Sequence, residues 1–152
     1  MVEYDIKKYF LRCNMVKKRE LYKISERSFL SKFMKTAGII AEYNPFHKGH
    51  EYQIRYTKER LKADYVIVAM SGDYVQRGTP ALISKHTRAE MALRCGADLV
   101  LEMPVSISTA SAEAFAMGGV SLLDSLDIVD ILCFGSESGE ISALKELAEI
   151  LV

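Results

Sequence analysis

The sequence has few cysteines, no net charge and no long apolar run. Its 152 residues include only three cysteines, Cys13, Cys95 and Cys133, which are widely spaced and form no C-x-x-C pair. Such a set fits a reducing compartment, and we interpret the three residues as core or bystander positions. No signal peptide is recognisable and no apolar run approaches a membrane span in length, so we expect a cytoplasmic protein with no membrane partner.

The charges balance overall but are unevenly distributed along the chain. Lys plus Arg and Asp plus Glu each number 20, which neither favours nor excludes a polyanionic partner. Residues 1–33 contain nine basic and four acidic residues, whereas residues 34–152 contain eleven and sixteen. We expect residues 1–33 to be a basic extension, disordered or loosely helical rather than an RNA-binding arm. Residues 34–152 are expected to form one nucleotide-binding α/β domain.

Short apolar segments alternate with helical ones from residue 34 onward. The predicted strands are Ala37–Ala41, Tyr65–Met70, Asp98–Met103 and Ile128–Phe134, and the predicted helices cover about 49–62, 84–95, 108–126 and the C-terminal segment. This alternation predicts an α/β fold with a Rossmann-like, doubly wound parallel sheet covered on both faces. Such domains usually contain at least five strands, so we expect this one to be truncated at the C-terminus. Its open sheet edge would then be covered by another segment or by a homodimer partner.

Three polar segments follow predicted strands, at the sheet edge where ligands bind in doubly wound folds. They are Asn44–His50, Ser71–Gly78 and Gly135–Glu137, and we expect them to share one pocket. In the first segment, His47 and His50 flank Gly49 at a strand-to-helix junction. A helix N-terminus offers unpaired N–H groups and partial positive charge, and imidazoles three residues apart can donate to the same phosphate. The pattern predicts a site that binds and activates a nucleotide.

Other interpretations of these residues remain open. The two histidines could instead cap the helix or lie free on the surface, but a zinc site is disfavoured because no third ligand stands at a recognisable spacing. Glu42 is expected to face the pocket, since an unpaired carboxylate at the end of a buried strand would be costly. Lys48 fits a phosphate contact and a solvated side chain equally well.

Two further segments carry basic residues. Arg77 lies in a loop at the ligand-facing edge, where it would bind phosphate or RNA or be an ordinary surface arginine. Lys85 and Arg88 share one helix face, which is best interpreted as solvated.

The order of motifs resembles a known family. His47-Lys48-Gly49-His50 is similar to the H-x-G-H signature of nucleotidyltransferases and class I aminoacyl-tRNA synthetases. With Gly38–His50, Met70–Gly78, Asp98–Pro104 and Cys133–Glu137 in order, residues 34–152 resemble the start of the bacterial tRNA(Met) cytidine acetate ligase family. Proteins of that family run well beyond this length, so the resemblance implies an N-terminal catalytic portion.

The resemblance implies a substrate set and a group of site residues. Members of that family use ATP and acetate to form acetyl-adenylate and then acetylate N4 of the wobble cytidine in tRNA(Met). Magnesium would accompany the nucleotide, with no protein ligand assigned to a metal. His47 and His50 would be catalytic and stabilise charge on the α-phosphate. The implied ATP-binding residues are Ile40, Ala41, Glu42, Tyr43, Asn44, Pro45, Phe46, His47, Lys48, Gly49, His50, Glu51, Tyr52, Gln53 and Gly135, and Ser71, Gly72, Arg77 and Lys85 are weaker candidates for substrate binding.

Two rival functions remain open at this stage. The same pocket would serve a nucleotidyltransferase that moves AMP or CMP onto a phosphorylated small molecule. A non-catalytic or vestigial ATP-binding module is the second rival.

Overall fold

The computed structural model describes residues 2–5 and 34–136. Within these ranges the strands are β1 (Val2–Asp5), β2 (Thr36–Ala41), β3 (Tyr65–Ser71), β4 (Leu99–Met103) and β5 (Ile131–Phe134). The helices are α1 (Lys48–Glu59), α2 (Lys85–Arg94), α3 (Val105–Ser108) and α4 (Ala112–Asp124), with a short 3-10 turn at Gln76–Gly78. The predicted C-terminal helix lies outside the described residues.

The described strands form one sheet in the order β1-β5-β2-β3-β4. Strands β5, β2, β3 and β4 are parallel to one another, whereas β1 runs antiparallel to β5. The predicted α/β fold with a parallel sheet and flanking helices is therefore confirmed. The expectation of disorder or loose helix is wrong for Val2–Asp5, because these residues add a strand to the edge of β5. Residues 6–33 lie outside the described part of the chain.

Helices cover both faces of the sheet, as the continuous apolar strands require. Val66 to Met70 of β3 are all buried, and alternate residues pack against opposite faces. On one face Val66 and Val68 join Ile54 of α1 and Ala92 of α2. On the other face Ile67 and Ala69 pack with Phe115 and Leu123 of α4. Helix α4 approaches β2 so closely that an added Cβ on Gly119 would lie 2.7 Å from Cγ2 of Ile40.

Two predicted elements have different bounds in the structure. The helix predicted over 108–126 is divided into α3 and α4, since Ser111 caps a new helix by accepting a hydrogen bond from the Ala114 N–H at 3.3 Å. The last described strand begins at Ile131 rather than Ile128, because the chain first turns at Asp127, whose φ is 53°. Asp130 then accepts a hydrogen bond from the Thr36 N–H at 2.9 Å, which ties this turn to β2.

Arg88 corrects the prediction that Lys85 and Arg88 lie on a solvated helix face. The Arg88 side chain is fully buried, and its guanidinium donates hydrogen bonds to four backbone carbonyls. These belong to Ile83, Glu42, Ser71 and Gly72. Burial lowers the pKa of Arg88, while the nearby carboxylates of Asp73, Glu42 and Glu102 act in the opposite direction. Arg88 thus fastens α2 to the carboxyl ends of β2 and β3, the edge of the sheet that faces ligands.

At the edge of the sheet opposite β1, the outermost described strand is β4. Its first residue, Leu99, is exposed, and among the described residues β4 pairs only with β3. Pairing of two copies through a sheet edge stays a prediction. None of the described helices is long and apolar enough to cross a membrane.

We predict that Arg88→Met destabilises the protein by about 3 kcal/mol or more, because four backbone carbonyls, including the buried ones of Ser71 and Gly72, lose a charged donor. Arg94→Met is the matched control in the same helix, since Arg94 is exposed and pairs with Glu90 at 2.6 Å one turn away. Its expected cost is below about 0.5 kcal/mol. Urea unfolding of the full chain measures both values. Similar costs for the two variants would contradict the role assigned to Arg88.

Candidate nucleotide site

A cavity of about 390 Å³ opens between the carboxyl ends of β2 and β5. These strands are adjacent in the sheet but are the first and last parallel strands along the described chain, so the chain order reverses between them. In doubly wound sheets this reversal leaves a crevice where ligands bind. The cavity is lined by residues from the end of β2, the start of α1 and the end of β5: Ile40, Ala41, Glu42, Tyr43, Asn44, Pro45, His47, His50, Gln53, Phe134 and Gly135.

The two histidines at the start of α1 cap the helix with their side chains. His47 is the N-cap residue, and its Nδ1 accepts a hydrogen bond from the Gly49 N–H at 3.1 Å. His50, three residues later, accepts from the His47 N–H through its own Nδ1 at 3.2 Å. This is the reciprocal pattern of a capping box, with imidazoles in place of the usual hydroxyl and carboxylate groups. The rings stack with centroids 3.7 Å apart and an interplanar angle of 23°.

This capping fixes which ring nitrogen carries the proton. A nitrogen that accepts a hydrogen bond is unprotonated, so a neutral imidazole in this position carries its proton on Nε2. Neither Nε2 atom makes a hydrogen bond within the part of the chain that the structure describes. Each histidine therefore presents an Nε2–H donor at the N-terminus of α1, where partial positive charge also favours an anion.

The capping interpretation and the phosphate interpretation of the two histidines are compatible. A helix N-terminus generally leaves N–H groups free for an anion, but here the Gly49 N–H is already paired with His47. At this helix start, an anion would therefore be bound by the imidazole side chains rather than by the Gly49 N–H. An added Cβ on Gly49 would lie 3.0 Å from Cε1 of His47, so glycine here keeps the capping ring in place.

His50 lies in an apolar environment. Its ring centroid is 4.7 Å from that of Tyr43 and 5.5 Å from that of Phe46. Burial, with a smaller contribution from the charge of neighbouring His47, lowers the pKa of His50 from 6.5 to about 4. His50 is therefore neutral at physiological pH and acts as a hydrogen-bond donor rather than as a fixed cation.

Glu42 and Asn44 connect the cavity wall to the following loop. Glu42 lines the cavity, and its Oε1 accepts a hydrogen bond from the Gln76 N–H at 2.8 Å. Asn44 accepts one from the Leu82 N–H at 2.7 Å through its side-chain oxygen. The prediction that Glu42 faces the pocket agrees with this placement, and its carboxylate also holds the loop.

Most of the residues assigned to ATP by resemblance surround the cavity, but some do not. Those outside its lining are Phe46, Lys48, Gly49, Glu51 and Tyr52. Phe134 lines it and was not predicted, although its position as the last residue of β5, directly before Gly135, was a usable signal. Gly135 faces open space, since an added Cβ would meet no atom within 4 Å.

Ser71–Gly78 was expected to share the pocket, but none of these residues lines the cavity. Ser71 is fully buried, and the carbonyls of Ser71 and Gly72 accept from Arg88. Arg77 is exposed at the tip of the loop, in a left-handed conformation with φ of 64°. Lys85 pairs with Asp73 at 3.3 Å and Glu102 at 2.9 Å, which raises its pKa. Substrate binding by these four candidates stays a prediction, and Glu137 lies outside the described residues.

Gln53 connects α1 to the far wall of the cavity. Its Nε2 donates to the carbonyl of Cys133 at 3.2 Å, one turn of helix beyond the histidine pair. Thr57, one turn further, donates to the carbonyl of Gln53 at 2.8 Å and approaches Sγ of Cys133 at 3.1 Å. These contacts fix the distance between the start of α1 and the end of β5.

Comparison with known proteins gives this geometry a family context. The chain is 56% identical over 115 residues to a protein of Thermoanaerobacter sp. (strain X514) named tRNA(Met) cytidine acetate ligase, covering 76% of this chain and 29% of that protein. It is also 56% identical over 119 residues to the protein of the same name from Clostridium perfringens (strain SM101 / Type A), covering 78% of this chain and 30% of that one. The chain thus spans less than a third of the length of these curated relatives.

A solved structure shows the same fold. The crystal structure of Thermotoga maritima TmcAL bound with alpha-thio ATP matches with a TM-score of 0.74 and 50% identity, covering 78% of this chain and 28% of that protein. The apo structure of the same protein matches equally well. A family model described as HIGH Nucleotidyl Transferase matches residues 34–152. Because this match covers most of the sequence, including the histidine pair, the chain belongs to the HIGH nucleotidyltransferase family.

Proposed function

We propose that the cavity binds ATP, with the triphosphate at the start of α1. The chain is then the nucleotide-binding portion of an enzyme that activates acetate and acetylates N4 of the wobble cytidine in tRNA(Met). The observation that carries the proposal is the capped histidine pair, which presents two Nε2–H donors at one helix N-terminus. The names of the relatives support the choice of substrates, and the ATP analogue in the Thermotoga maritima structure supports the choice of nucleotide.

The residues at the cavity fit a nucleoside triphosphate. A volume of about 390 Å³ lies within the usual range of roughly 300–1,000 Å³ for small-molecule sites. The wall at Gly135 leaves room for the close approach of a ligand to the backbone, while Ile40 and Phe134 supply apolar surface suited to a base. The imidazole donors at the other end suit phosphate oxygens.

The proposed role of the histidine pair is electrostatic. Both Nε2–H groups would donate to phosphate oxygens and stabilise the charge that develops as acetate attacks and pyrophosphate leaves. No covalent bond to the protein is needed, and the fixed capping geometry means that the donors need not reorganise. Lys48, exposed as the first residue of α1, would add a mobile positive charge beside them.

Magnesium would arrive with the nucleotide in this proposal. The described residues contain no group of three or more His, Cys, Asp or Glu side chains that could hold a metal ion. Magnesium commonly retains several waters and binds through substrate phosphates, which needs no protein cage. Binding of tRNA and a cytoplasmic location stay predictions at this stage.

We predict that the double variant His47→Asn/His50→Gln loses ATP affinity by roughly 10-fold or more, or about 1.4 kcal/mol. Asn at the N-cap and Gln three residues later preserve reciprocal capping, so the helix is retained while the imidazole donors are removed. His86→Gln is the matched control, because His86 is exposed and outside the cavity. Calorimetric titration of the full chain with ATP and magnesium measures all three proteins. Equal affinity for the double variant and the parent would refute the assigned phosphate contact.

The activity can be tested in a chimaera in which residues 34–152 replace the matching segment of the Thermoanaerobacter relative. We predict acetate-dependent exchange of pyrophosphate into ATP and acetylation of tRNA(Met), because the chimaera restores the length that this chain does not span. The His47→Asn/His50→Gln chimaera should lose at least about 100-fold in exchange rate, since it lacks the donors that stabilise the developing charge.

The same assay separates the rival functions. A chimaera that transfers AMP or CMP to a phosphorylated small molecule, without any need for acetate, would replace the proposed function by a nucleotidyltransferase reaction. A folded chimaera that binds ATP but exchanges no pyrophosphate would favour a binding module.

A further inference from the structure

Tyr43 adopts a backbone conformation that is costly for its residue type. It lies two residues after the end of β2 and has φ of 51°, in the left-handed region where bulky residues are uncommon. Holding a non-glycine residue there costs roughly 1 kcal/mol or more and persists only where the surroundings impose it. The side chain is only 1% exposed, so this turn directs an aromatic ring into the interior beneath α1.

The Tyr43 ring forms one wall of the environment of His50. Its centroid lies 4.7 Å from the imidazole and 4.9 Å from the ring of Phe46, which it meets edge-on at 76°. Phe46 is 5.5 Å from the imidazole, and His47 is stacked against it. Three rings therefore surround His50, its Nδ1 is occupied by the His47 N–H, and Nε2 is the polar atom left for a ligand.

The hydroxyl of Tyr43 does not explain its position. It is buried and has no hydrogen-bond partner in the described part of the chain. Burial raises the pKa of the phenol, and the nearby thiols of Cys133 and Cys95 raise it further. The hydroxyl therefore lies on the core side, and the contact between Tyr43 and the site is made by the ring.

We infer that Tyr43 is a positioning residue, whose ring orients the imidazole of His50 and shields it from water so that the nucleotide meets a neutral Nε2–H donor. This role rests on the proposed function only in naming the nucleotide as the ligand. The depressed pKa of His50, about 4, agrees with the shielding. Besides Tyr43, the titratable groups near His50 in the described part of the chain include His47 in the stack, Glu42 on the same cavity and Glu51 next in the helix.

The test is an NMR titration of the His50 imidazole in the full chain, with and without ATP. We expect His50 to titrate near pH 4 in the parent protein and in Tyr43→Phe, which retains the ring, with ATP affinities within twofold of each other. Tyr43→Asn removes the ring but suits the left-handed conformation. In this variant we expect the His50 pKa to rise toward 6.5 and ATP affinity to fall about 10-fold. His86, which is exposed and lies outside the cavity lining, is the internal control for these measurements.

Several outcomes would overturn the inference. One is a folded Tyr43→Asn protein in which the His50 pKa stays near 4, and another is a Tyr43→Phe protein that behaves like Tyr43→Asn. If Tyr43→Asn does not fold, Tyr43→Met, which keeps an apolar side chain in the core, takes its place. Loss of the fold in both would assign Tyr43 a structural role instead. A parent protein that does not bind ATP would refute the proposed function alone, because the His50 titration requires no nucleotide.

The low pKa of His50 also predicts how stability depends on pH. Because the folded pKa of about 4 lies below the unfolded value of 6.5, the unfolded state binds the proton more readily between these values. The His50 contribution therefore makes the protein less stable as pH falls from 6.5 toward 4 and is constant above 6.5. Urea unfolding should show a weaker loss of stability over this window in His50→Gln than in the parent. An unchanged pH dependence in His50→Gln, equal to that of His86→Gln, would contradict the assigned pKa.

Discussion

The site depends on the hydrogen bonds that His47 and His50 accept through Nδ1 from the first turn of α1. A helix start needs acceptors for its free N–H groups, and a phosphate needs donors. An imidazole can satisfy both at once, because its two nitrogens have opposite roles when the ring is neutral. An Asp or Glu cap would also stabilise the helix, but its ionised carboxylate has no donor to offer an anion. One structural requirement of α1 thus sets the tautomer of two proposed catalytic groups.

Other parts of the fold keep this arrangement in place. Arg88 fixes the backbone at the ends of β2 and β3 from within the core, and its contact with the Glu42 carbonyl lies one residue before Tyr43. Gln53 joins α1 to the carbonyl of Cys133 and so sets the width of the cavity. Glu42 and Asn44 hold the following loop through Gln76 and Leu82. Polar groups with defined partners therefore surround a cavity in which the Nε2–H donors of the two histidines are left for a ligand.

Much of the fold could be predicted from the sequence, because continuous apolar strands such as Tyr65–Ser71 have one stable location in an alternating α/β chain. The proximity of the histidine pair, which follows β2, to the end of β5 could also be predicted, because the carboxyl ends of parallel strands lie at the same edge of a sheet. The burial of Arg88 could not, because helical spacing alone does not distinguish a solvated arginine from one that meets carbonyls of distant strands. The strand Val2–Asp5 was missed for a similar reason, as its partner β5 is about 130 residues away in the sequence. Capping by the two histidines was one interpretation of the sequence, but its reciprocal pattern could not be predicted, because imidazoles are not the usual capping groups.

The site depends on which nitrogen of two imidazole rings carries the proton. The most direct measurement is therefore a two-bond ¹H–¹⁵N correlation spectrum of the histidine side chains. The structure predicts that the neutral ring of both His47 and His50 is the Nε2–H tautomer. It also predicts that the Nε2 signals of both residues shift when ATP is added while those of His86 do not. The Nδ1–H tautomer at either residue, or Nε2 signals unaffected by saturating ATP, would contradict the account of how this helix start both caps itself and binds phosphate.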